Sequence, residues 1–491
     1  MKVRTRIAPS PTGFFHVGNM RTALYDYALA MKHGGQFILR IEDTDQTRYL
    51  PEAVDYIIKL LNNFGLQPNE GVGVGGPHEP YVQSERLELY RKYAEELVEK
   101  GLAYYCFMNE AETEDTQLKY RDMHKGLRSP YRDLALEEAK QRAATGDKFT
   151  IRQKLPENEQ VEFIDGMGDK TVFNTSDIEE WVMIKSDGFP TYNFAVVIDD
   201  HLMDITHVFR GVEFVSSAPK NALLYKAFGW EVPQIFHLPV LMDPEGGKLS
   251  KRKGATAAGE FLTEGYLPEA ILNFLMLLGW SSPEERVHGQ EERELYSLAD
   301  FIELFDPKDL NKSNPVFNRE KLLWFNQKYI SGMNESQLAE KLISWFDAYA
   351  EDKLLAPHIK TDVQMGTLAA KLALVKERSK TLSELAESLK FFYVTPQDID
   401  WNIPQLERVK DLVPAIVGEI KELISGLDID SANWKHEDWE MGMRAIGDKH
   451  GAKHGDVFMV LRVAIVGAPF SPPLFESLQL LGKEQVLTRL K

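Results

Sequence analysis

The chain has 491 residues, of which 43% are hydrophobic and 27% are charged, enough apolar material for about three or four globular domains. Its single cysteine, Cys106, excludes an intrachain disulfide framework and a multi-cysteine zinc site. The N-terminus lacks the apolar core of a secretory signal, and the most apolar stretch, 270–280, is too short to span a bilayer. These features predict a cytoplasmic protein that does not enter a membrane.

The net charge of −18 at first disfavours a nucleic-acid partner, but phosphate binding depends on local basic patches rather than on the total charge. Two such patches occur, at 248–253 and 376–380. Basic runs of this kind are more often solvated surface than binding sites, so the charge pattern alone assigns no partner.

The first forty residues predict a β-α-β unit. Val3 to Ala8 is capable of forming a strand, and Pro9 to Gly13 forms a rigid loop. Apolar residues then recur at helical spacing between Met20 and Met31, and the run from Phe37 to Ile41 predicts a second strand. A strand, helix and strand in this order begin a parallel sheet.

The rest of the chain predicts an interrupted sheet followed by helices. Residues 101–187 are mixed and polar, as expected of an inserted domain. Predicted strands at 194–198, 205–209 and 235–241, with a helix at 218–228, resume the α/β pattern. From Leu267 onward, apolar residues recur mainly at helical spacing, which predicts an all-α C-terminal part.

The first candidate motif is His16-Val17-Gly18-Asn19, between the first predicted strand and helix. Free backbone N–H groups and the positive end of the dipole make a helix N-terminus suitable for phosphate. Gly18 would let a flat base or ribose approach the backbone, and His16 could donate to a phosphate oxygen. Alone, a His-x-Gly sequence is usually only a turn.

The second candidate motif is a lysine-rich loop, Lys248-Leu249-Ser250-Lys251-Arg252, flanked by glycines. Such a loop could close on a triphosphate and stabilise charge on the transferring oxygens. Alone, it is more often a basic surface loop. The two motifs together, one after the first strand and one after the last, resemble the paired signatures of class I aminoacyl-tRNA synthetases.

Further segments narrow the resemblance to the glutamyl and glutaminyl group. The opening Arg6 to Gly13 is similar to the start of these enzymes, and the similarity continues over essentially the whole chain. The matching segments are 40–45, 83–86, 190–193, 199–201, 315–317, 321–322 and 480–490. The helical C-terminus favours the glutamyl type, because the glutaminyl type usually ends in β-barrels.

The resemblance implies an α/β Rossmann-type catalytic domain with an inserted α+β acceptor-binding domain, followed by an all-α anticodon-binding region. The implied boundaries are 1–103 with 188–243 for the catalytic domain, 104–187 for the insertion, 244–327 for a stem-contact domain carrying the lysine loop, and 328–400 and 401–491 for two helical anticodon-binding subdomains.

The resemblance also implies roles for individual residues. The expected catalytic residues are His16, Gly18, Lys248 and Lys251. ATP would be bound by these four together with Pro9, Asn19, Leu249, Ser250 and Arg252. Glutamate would be bound by Arg6, Ala8, Ser10, Glu42, Tyr192, Asn193 and Arg210. In this assignment Arg6, with Tyr192, binds the γ-carboxylate, Arg210 the α-carboxylate, and Glu42 with Ser10 the ammonium. Two cations would thus face two carboxylates.

The implied substrates are ATP, L-glutamate and tRNA(Glu), with Mg²⁺ carried by ATP, no protein metal ligand and no zinc. A monomer is expected. Arg378 matches an arginine that accompanies discrimination between glutamate and glutamine anticodons, although a salt-bridged surface arginine is an equal alternative. The sequence leaves open whether tRNA(Gln) is also charged with glutamate.

Several competing interpretations are weaker. The glycine run 71–76 fits G-x-G-x-x-G but is not expected to follow a strand or open a helix. His450 and His454, expected on one helix face, lack a third metal ligand. Many relatives carry an acidic pair after the glycine that follows Arg210. Here Gly211 is followed by Val212-Glu213-Phe214, which leaves the role of Glu213 undefined. A tRNA-modifying glutamyl transferase, a small-molecule adenylyltransferase and a non-catalytic protein of the same fold remain alternatives to a synthetase.

Overall fold

The structure is a computed structural model that describes residues 2–249, 256–283, 293–350, 355–431 and 434–490. Within these ranges, no helix is both long and apolar enough to cross a bilayer. The chain divides into two compact units. The first contains 1–259 and 272–318, and the second contains 260–271 and 319–491.

The first unit begins with the predicted β-α-β unit. Strand β1 (Arg4–Ile7) pairs in parallel with β2 (Gln36–Leu39), which pairs in parallel with β3 (Glu70–Gly71). Helix α1 (Val17–Lys32) connects β1 to β2 and is buried over most of its surface. Helices α2 (Pro51–Asn63) and α3 (Leu87–Glu99) follow. The predicted start of a parallel sheet is therefore confirmed.

The expected insertion is also mixed in structure. It contains β4 (Ala103–Cys106), α4 (Glu110–Asp122), α5 (Leu136–Ala144), β5 (Thr150–Gln153), β6 (Gln160–Ile164), β7 (Lys170–Asn174) and β8 (Val182–Ile184). β4, β5 and β8 form an antiparallel sheet, and β6 and β7 form an antiparallel hairpin.

One predicted strand is wrong. The run 194–198 lies in helix α6 (Tyr192–Leu202), whose residues from Phe194 to Asp200 are all buried. A helix buried on all sides has no polar face, so its continuous apolar run cannot be told from a buried strand by periodicity. The next elements agree with the prediction: β9 (His207–Gly211), α7 (Ala218–Phe228) and β10 (Gln234–Leu238), with β9 and β10 parallel.

The remaining elements are helical, as predicted. They are α8 (Ala258–Thr263), α9 (Pro268–Leu277), α10 (Leu298–Leu304), α11 (Arg319–Gly332), α12 (Glu335–Tyr349), α13 (Leu355–Met365), α14 (Leu368–Val375), α15 (Leu382–Lys390), α16 (Val413–Gly426), α17 (His436–His450), α18 (His454–Val466), α19 (Leu474–Leu481) and α20 (Lys483–Arg489).

Two smaller expectations need correction. His450 ends α17 and His454 begins α18, so the two histidines do not share a helix face; Gly451, in the left-handed region at φ 62°, ends α17. His450 contacts Glu419 and His454 contacts Asp448. The glycine run 71–76 begins in the two-residue strand β3 and continues into a tight turn, and it opens no helix.

A buried carboxylate joins α6 to the segment before α3. Asp199 is fully buried and accepts hydrogen bonds from Gln83 Nε2, Arg86 Nε and Tyr90 Oη, each at 2.8 Å. The Arg40 guanidinium lies 3.8 Å away. Removing one partner of a buried ion pair costs more than the pair itself contributes, because the remaining charge stays buried without compensation.

We therefore expect Asp199→Ala to lower the free energy of unfolding by about 3–5 kcal/mol in urea denaturation of the full chain. The matched control is Glu440→Ala, which removes a partly exposed i,i+4 partner of Arg444 and should cost much less, because solvent screens a surface ion pair. If the two variants lost equal free energy of unfolding, the buried contacts of Asp199 would not be what holds α6 to α3 and the segment before it.

Candidate active site

A cavity of about 730 Å³ lies where the parallel strands of the first unit end. The carboxyl ends of parallel strands are the usual location of ligand sites in α/β sheets. Most of the predicted site residues line this cavity: Arg6, Ala8, Pro9, Ser10, His16, Gly18, Asn19, Glu42, Tyr192, Arg210, Lys248 and Leu249. Asn193 is half-buried just beside it and is not part of the lining.

The first motif caps helix α1. His16 is the N-cap residue, with extended backbone, and its Nδ1 accepts a hydrogen bond from Gly18 N at 3.0 Å. Since Nδ1 is an acceptor, the proton of the neutral ring is on Nε2. The cap thus orients an imidazole N–H at the beginning of a helix, where the helix dipole favours an anion.

The residues flanking the second motif reach the first motif. Val17 N donates to Thr256 O and Ala258 N donates to Phe15 O, both at 2.9 Å. On the other flank, Lys248 pairs with Met242 in a short bridge and lines the cavity. The chain before the lysine loop therefore lies at the cavity, and the chain after it lies against the N-terminus of α1. The predicted residues Ser250, Lys251 and Arg252 lie outside the described residues.

A buried chain of alternating charges forms one wall of the cavity. Asp200 Oδ1 accepts from Arg6 Nε at 3.1 Å and from Arg40 Nη1 at 2.8 Å. Arg40 Nη2 in turn donates to Glu42 Oε1 at 2.9 Å. Arg6 and Glu42, which line the cavity, are therefore held by Asp200 and Arg40 behind them.

The pKa values in this chain follow from burial and neighbouring charge. Burial alone would raise the pKa of Asp200, but Arg6 and Arg40 hold it below its ordinary value. Burial raises the pKa of Glu42, and Arg40 and Arg6 only partly offset this effect. Glu42 is thus an acid whose ionised form depends on nearby positive charge.

Arg210 is a second buried cation in the cavity, and its described hydrogen-bond acceptors are all uncharged. Its Nε donates to His237 Nε2 at 2.9 Å and its Nη1 to Asn221 Oδ1 at 3.0 Å. Burial lowers its pKa. Because a buried charge without an opposite charge is costly, an anionic ligand would stabilise this arrangement.

Tyr192 lies close to both arginines. Burial, followed by the nearby Glu42, raises the pKa of Tyr192 to about 12, so its hydroxyl keeps its proton at neutral pH. Its ring packs against Phe214 with centroids 5.0 Å apart. Tyr192 therefore offers the cavity a neutral hydrogen-bond donor of fixed orientation.

Comparison with known proteins identifies the family. Residues 2–324 match the family model of the class I tRNA synthetase catalytic domain (E and Q), and residues 337–491 match that of an anticodon-binding domain. The chain belongs to the class I glutamyl and glutaminyl tRNA synthetases. It is therefore a member of an enzyme family whose catalytic unit contains the cavity described above.

The individual relatives are similar over their full lengths. The chain is 39% identical to a glutamate–tRNA ligase of Finegoldia magna and 40% identical to one of Treponema denticola, covering 100% of this chain and 98% and 99% of those proteins. A crystal structure of a glutamate–tRNA ligase from Elizabethkingia meningosepticum, in complex with its amino acid, aligns with a TM-score of 0.82 and 34% identity, covering 100% of this chain and 98% of that chain.

The second unit of this synthetase has a pocket of its own. The pocket measures about 630 Å³ and is lined by Arg378 and Phe470, among others. Arg378 is exposed and its Nη1 donates to Ser471 O at 3.0 Å, while 79% of Phe470 is exposed. The contact described for Arg378 is with a carbonyl rather than with a carboxylate.

Several residues that hold the walls of this cavity have no role predicted from the sequence. Arg40, Asp200 and His237 are buried polar residues within or beside apolar runs. A polar residue within an apolar run indicates a buried group that needs a partner, and this was the signal available in the sequence. The partners could not be identified, because they come from distant parts of the chain. Glu213, left undefined above, lines the cavity with its carboxylate against Gly211.

Proposed function

We propose that this synthetase activates L-glutamate with ATP and transfers it to tRNA(Glu). The observation that carries the proposal is the pocket with two buried arginines and one buried glutamate, in a chain whose full-length relatives are glutamate–tRNA ligases. Glutamate presents two carboxylates and one ammonium, which is the complementary set of charges. A neutral side-chain amide would leave one arginine without an anion.

In the proposed complex, Arg6 binds the γ-carboxylate with help from the Tyr192 hydroxyl. Arg210 binds the α-carboxylate, and Glu42 with Ser10 binds the ammonium. A guanidinium can grip a carboxylate through two parallel hydrogen bonds, so each arginine would fix orientation as well as charge. Ala8 and Asn193 complete the proposed glutamate site.

ATP would lie against the α1 N-terminus, with Gly18 beside its base or ribose and with His16 and the lysine loop around its phosphates. The α-carboxylate of glutamate attacks the α-phosphorus, glutamyl-AMP forms and pyrophosphate leaves. His16, Lys248 and Lys251 stabilise the developing negative charge, and no covalent protein intermediate is needed. Pro9, Asn19, Leu249, Ser250 and Arg252 complete the ATP site.

Mg²⁺ is part of the proposal as the cation that neutralises the phosphates of ATP. The described residues contain no group of three or more His, Cys, Asp or Glu side chains arranged to hold a metal. Oxygen-rich phosphates are ligands that Mg²⁺ prefers. The ion would therefore reach the site on the nucleotide, and the proposal includes no zinc.

In the second step, the 2′-hydroxyl of the terminal adenosine attacks the activated carbonyl of glutamyl-AMP. An ester bond forms, the acyl–phosphate bond breaks, and AMP leaves with the hydroxyl proton on its phosphate. The insertion, residues 104–187, would hold the acceptor end, and residues 244–327 would contact the stem. The helical subdomains 328–400 and 401–491 would bind the anticodon, with Arg378 reading one of its bases. Unpaired anticodon bases are read by stacking and by hydrogen bonds to their edges. We further propose a monomeric, cytoplasmic enzyme.

The direct test is a charging assay with purified tRNA(Glu) and tRNA(Gln), each supplied with ATP and either glutamate or glutamine. We expect glutamate, and not glutamine, to be attached to tRNA(Glu). Charging of tRNA(Gln) with glutamate as well would support a non-discriminating enzyme. Attachment of glutamine alone, or no charging of either tRNA, would contradict the proposal.

A second prediction concerns how the KM for glutamate changes at acidic pH. Glu42 must be ionised to bind the ammonium, and its pKa is raised, so the KM for glutamate should rise on acidification at a higher pH than for an ordinary carboxyl group. Glu42→Gln should raise this KM about tenfold at neutral pH, the value of one charged hydrogen bond, and should abolish the further rise on acidification.

The control for this prediction is Glu52→Gln, which changes an exposed glutamate in the first turn of α2. Its pH profile should match that of the unsubstituted enzyme. If Glu42→Gln retained the acidic rise in KM, the group responsible would be another one, and the ammonium would not be bound by Glu42.

A further inference from the structure

The turn of the β6–β7 hairpin lies against strand β10, which pairs with β9. Gly166 N donates to Ile235 O at 2.8 Å, and His237 N donates to Asp165 Oδ2 at 3.2 Å. A Cβ atom added at Gly166 would lie 2.5 Å from the ring of Phe236. Only glycine allows so close an approach, so the turn is fitted to the strand.

This contact extends to the substrate cavity through one histidine. His237 Nδ1 lies 2.5 Å from Asp165 Oδ2, and His237 Nε2 accepts from Arg210 Nε at 2.9 Å. A guanidinium can only donate, so Nε2 carries no proton and the ring proton lies on Nδ1, facing the carboxylate. Asp165 thereby selects the tautomer that can accept from Arg210.

Both residues are held in place independently of Arg210. Asp165 Oδ1 accepts from Met167 N at 2.7 Å within the turn. The ring of His237 packs edge-on against Phe163, with centroids 5.8 Å apart. Asp165, His237 and Arg210 are all buried. The acceptor offered to Arg210 is therefore fixed in position before any ligand arrives.

We propose that Asp165 and His237 are positioning residues that aim Arg210 at the α-carboxylate of the amino acid. The inference rests on the proposed function and adds two residues to it. Arg210 is anchored through Nε by His237 and through Nη1 by Asn221. The Nη2 contact with Phe214 O is long, 3.5 Å, so this nitrogen is the one most easily transferred to a ligand oxygen.

The position of His237 between Asp165 and Arg210 affects how much positive charge Arg210 offers to a ligand. A carboxylate bound directly to Arg210 would neutralise it and compete with the carboxylate of the substrate. With a neutral imidazole between them, Asp165 orients Arg210 but leaves its charge available. Arg6 differs in this respect, because it contacts Asp200 directly.

The arrangement also makes Arg210 depend on the insertion. Asp165 belongs to the hairpin between residues 160 and 174, within the segment that we propose holds the acceptor end of tRNA. If the hairpin shifted, the tautomer of His237 and the aim of Arg210 would change with it. Residues of the insertion would thus influence amino-acid binding in the cavity.

The test compares two substitutions of His237 in the full-length enzyme. His237→Gln keeps an acceptor oxygen at the position of Nε2, whereas His237→Asn is too short to reach Arg210. Each variant is assayed in tRNA charging for kcat and KM with glutamate. Each is also assayed for inhibition by glutamol, in which an alcohol replaces the α-carboxylate while the γ-carboxylate and the ammonium remain.

We expect His237→Asn to lower kcat/KM for glutamate about tenfold, the value of an interaction with a charged group, while the inhibition constant of glutamol changes less than about twofold. His237→Gln should stay within about threefold of the unsubstituted enzyme. Equal weakening of glutamate and glutamol by His237→Asn would mean general damage to the pocket and would overturn the proposal. So would an unchanged kcat/KM for glutamate.

Asp165→Ala provides a second, independent variant. It removes the acceptor that keeps the ring proton on Nδ1, so we expect the same selective loss for glutamate over glutamol, but smaller than in His237→Asn. If Asp165→Ala weakened glutamate and glutamol equally, or neither of them, Asp165 would contribute only to the stability of the hairpin contact. If the unsubstituted enzyme charged no tRNA with glutamate, the proposed function itself would fail, which is a different result.

Discussion

The pocket is organised around Asp200, a buried carboxylate shared by Arg6 and Arg40. Without it, two guanidinium groups would lie side by side in a medium where charges are poorly screened. With it, Arg6 is fixed at the end of β1, and Arg40 is free to hold Glu42 at the end of β2. One carboxylate on α6 thus places a cation and an anion on the cavity wall.

Arg210, in the same cavity, is hydrogen-bonded to neutral acceptors, and Asp165 acts on it only through an imidazole. The two arginines are consequently not equivalent. The positive charge of Arg6 is partly balanced by the protein, whereas that of Arg210 is left for a ligand. A ligand with one net negative charge satisfies this imbalance, as glutamate does and as neutral glutamine does not. The difference in charge compensation gives a physical basis for choosing an acidic amino acid.

Much of this organisation could be predicted from the sequence. The helical spacing within 20–31 predicted α1, and the flanking motifs predicted that His16, Arg6 and Lys248 would share a site, which the structure brings together in one cavity. Local patterns could not separate the buried helix α6 from a strand. Nor could they reveal the long-range contacts of Asp200 or of His237, because the partners are distant in sequence and only the fold brings them together.

The most direct test of this account is a crystal structure with L-glutamate and a non-reactive ATP analogue bound. We expect the γ-carboxylate to contact Arg6 and the α-carboxylate to contact Arg210, with the ammonium at Glu42 and the phosphates near His16. Glutamate bound in the reverse orientation, or a bound state in which Arg210 contacts no carboxylate, would contradict the account.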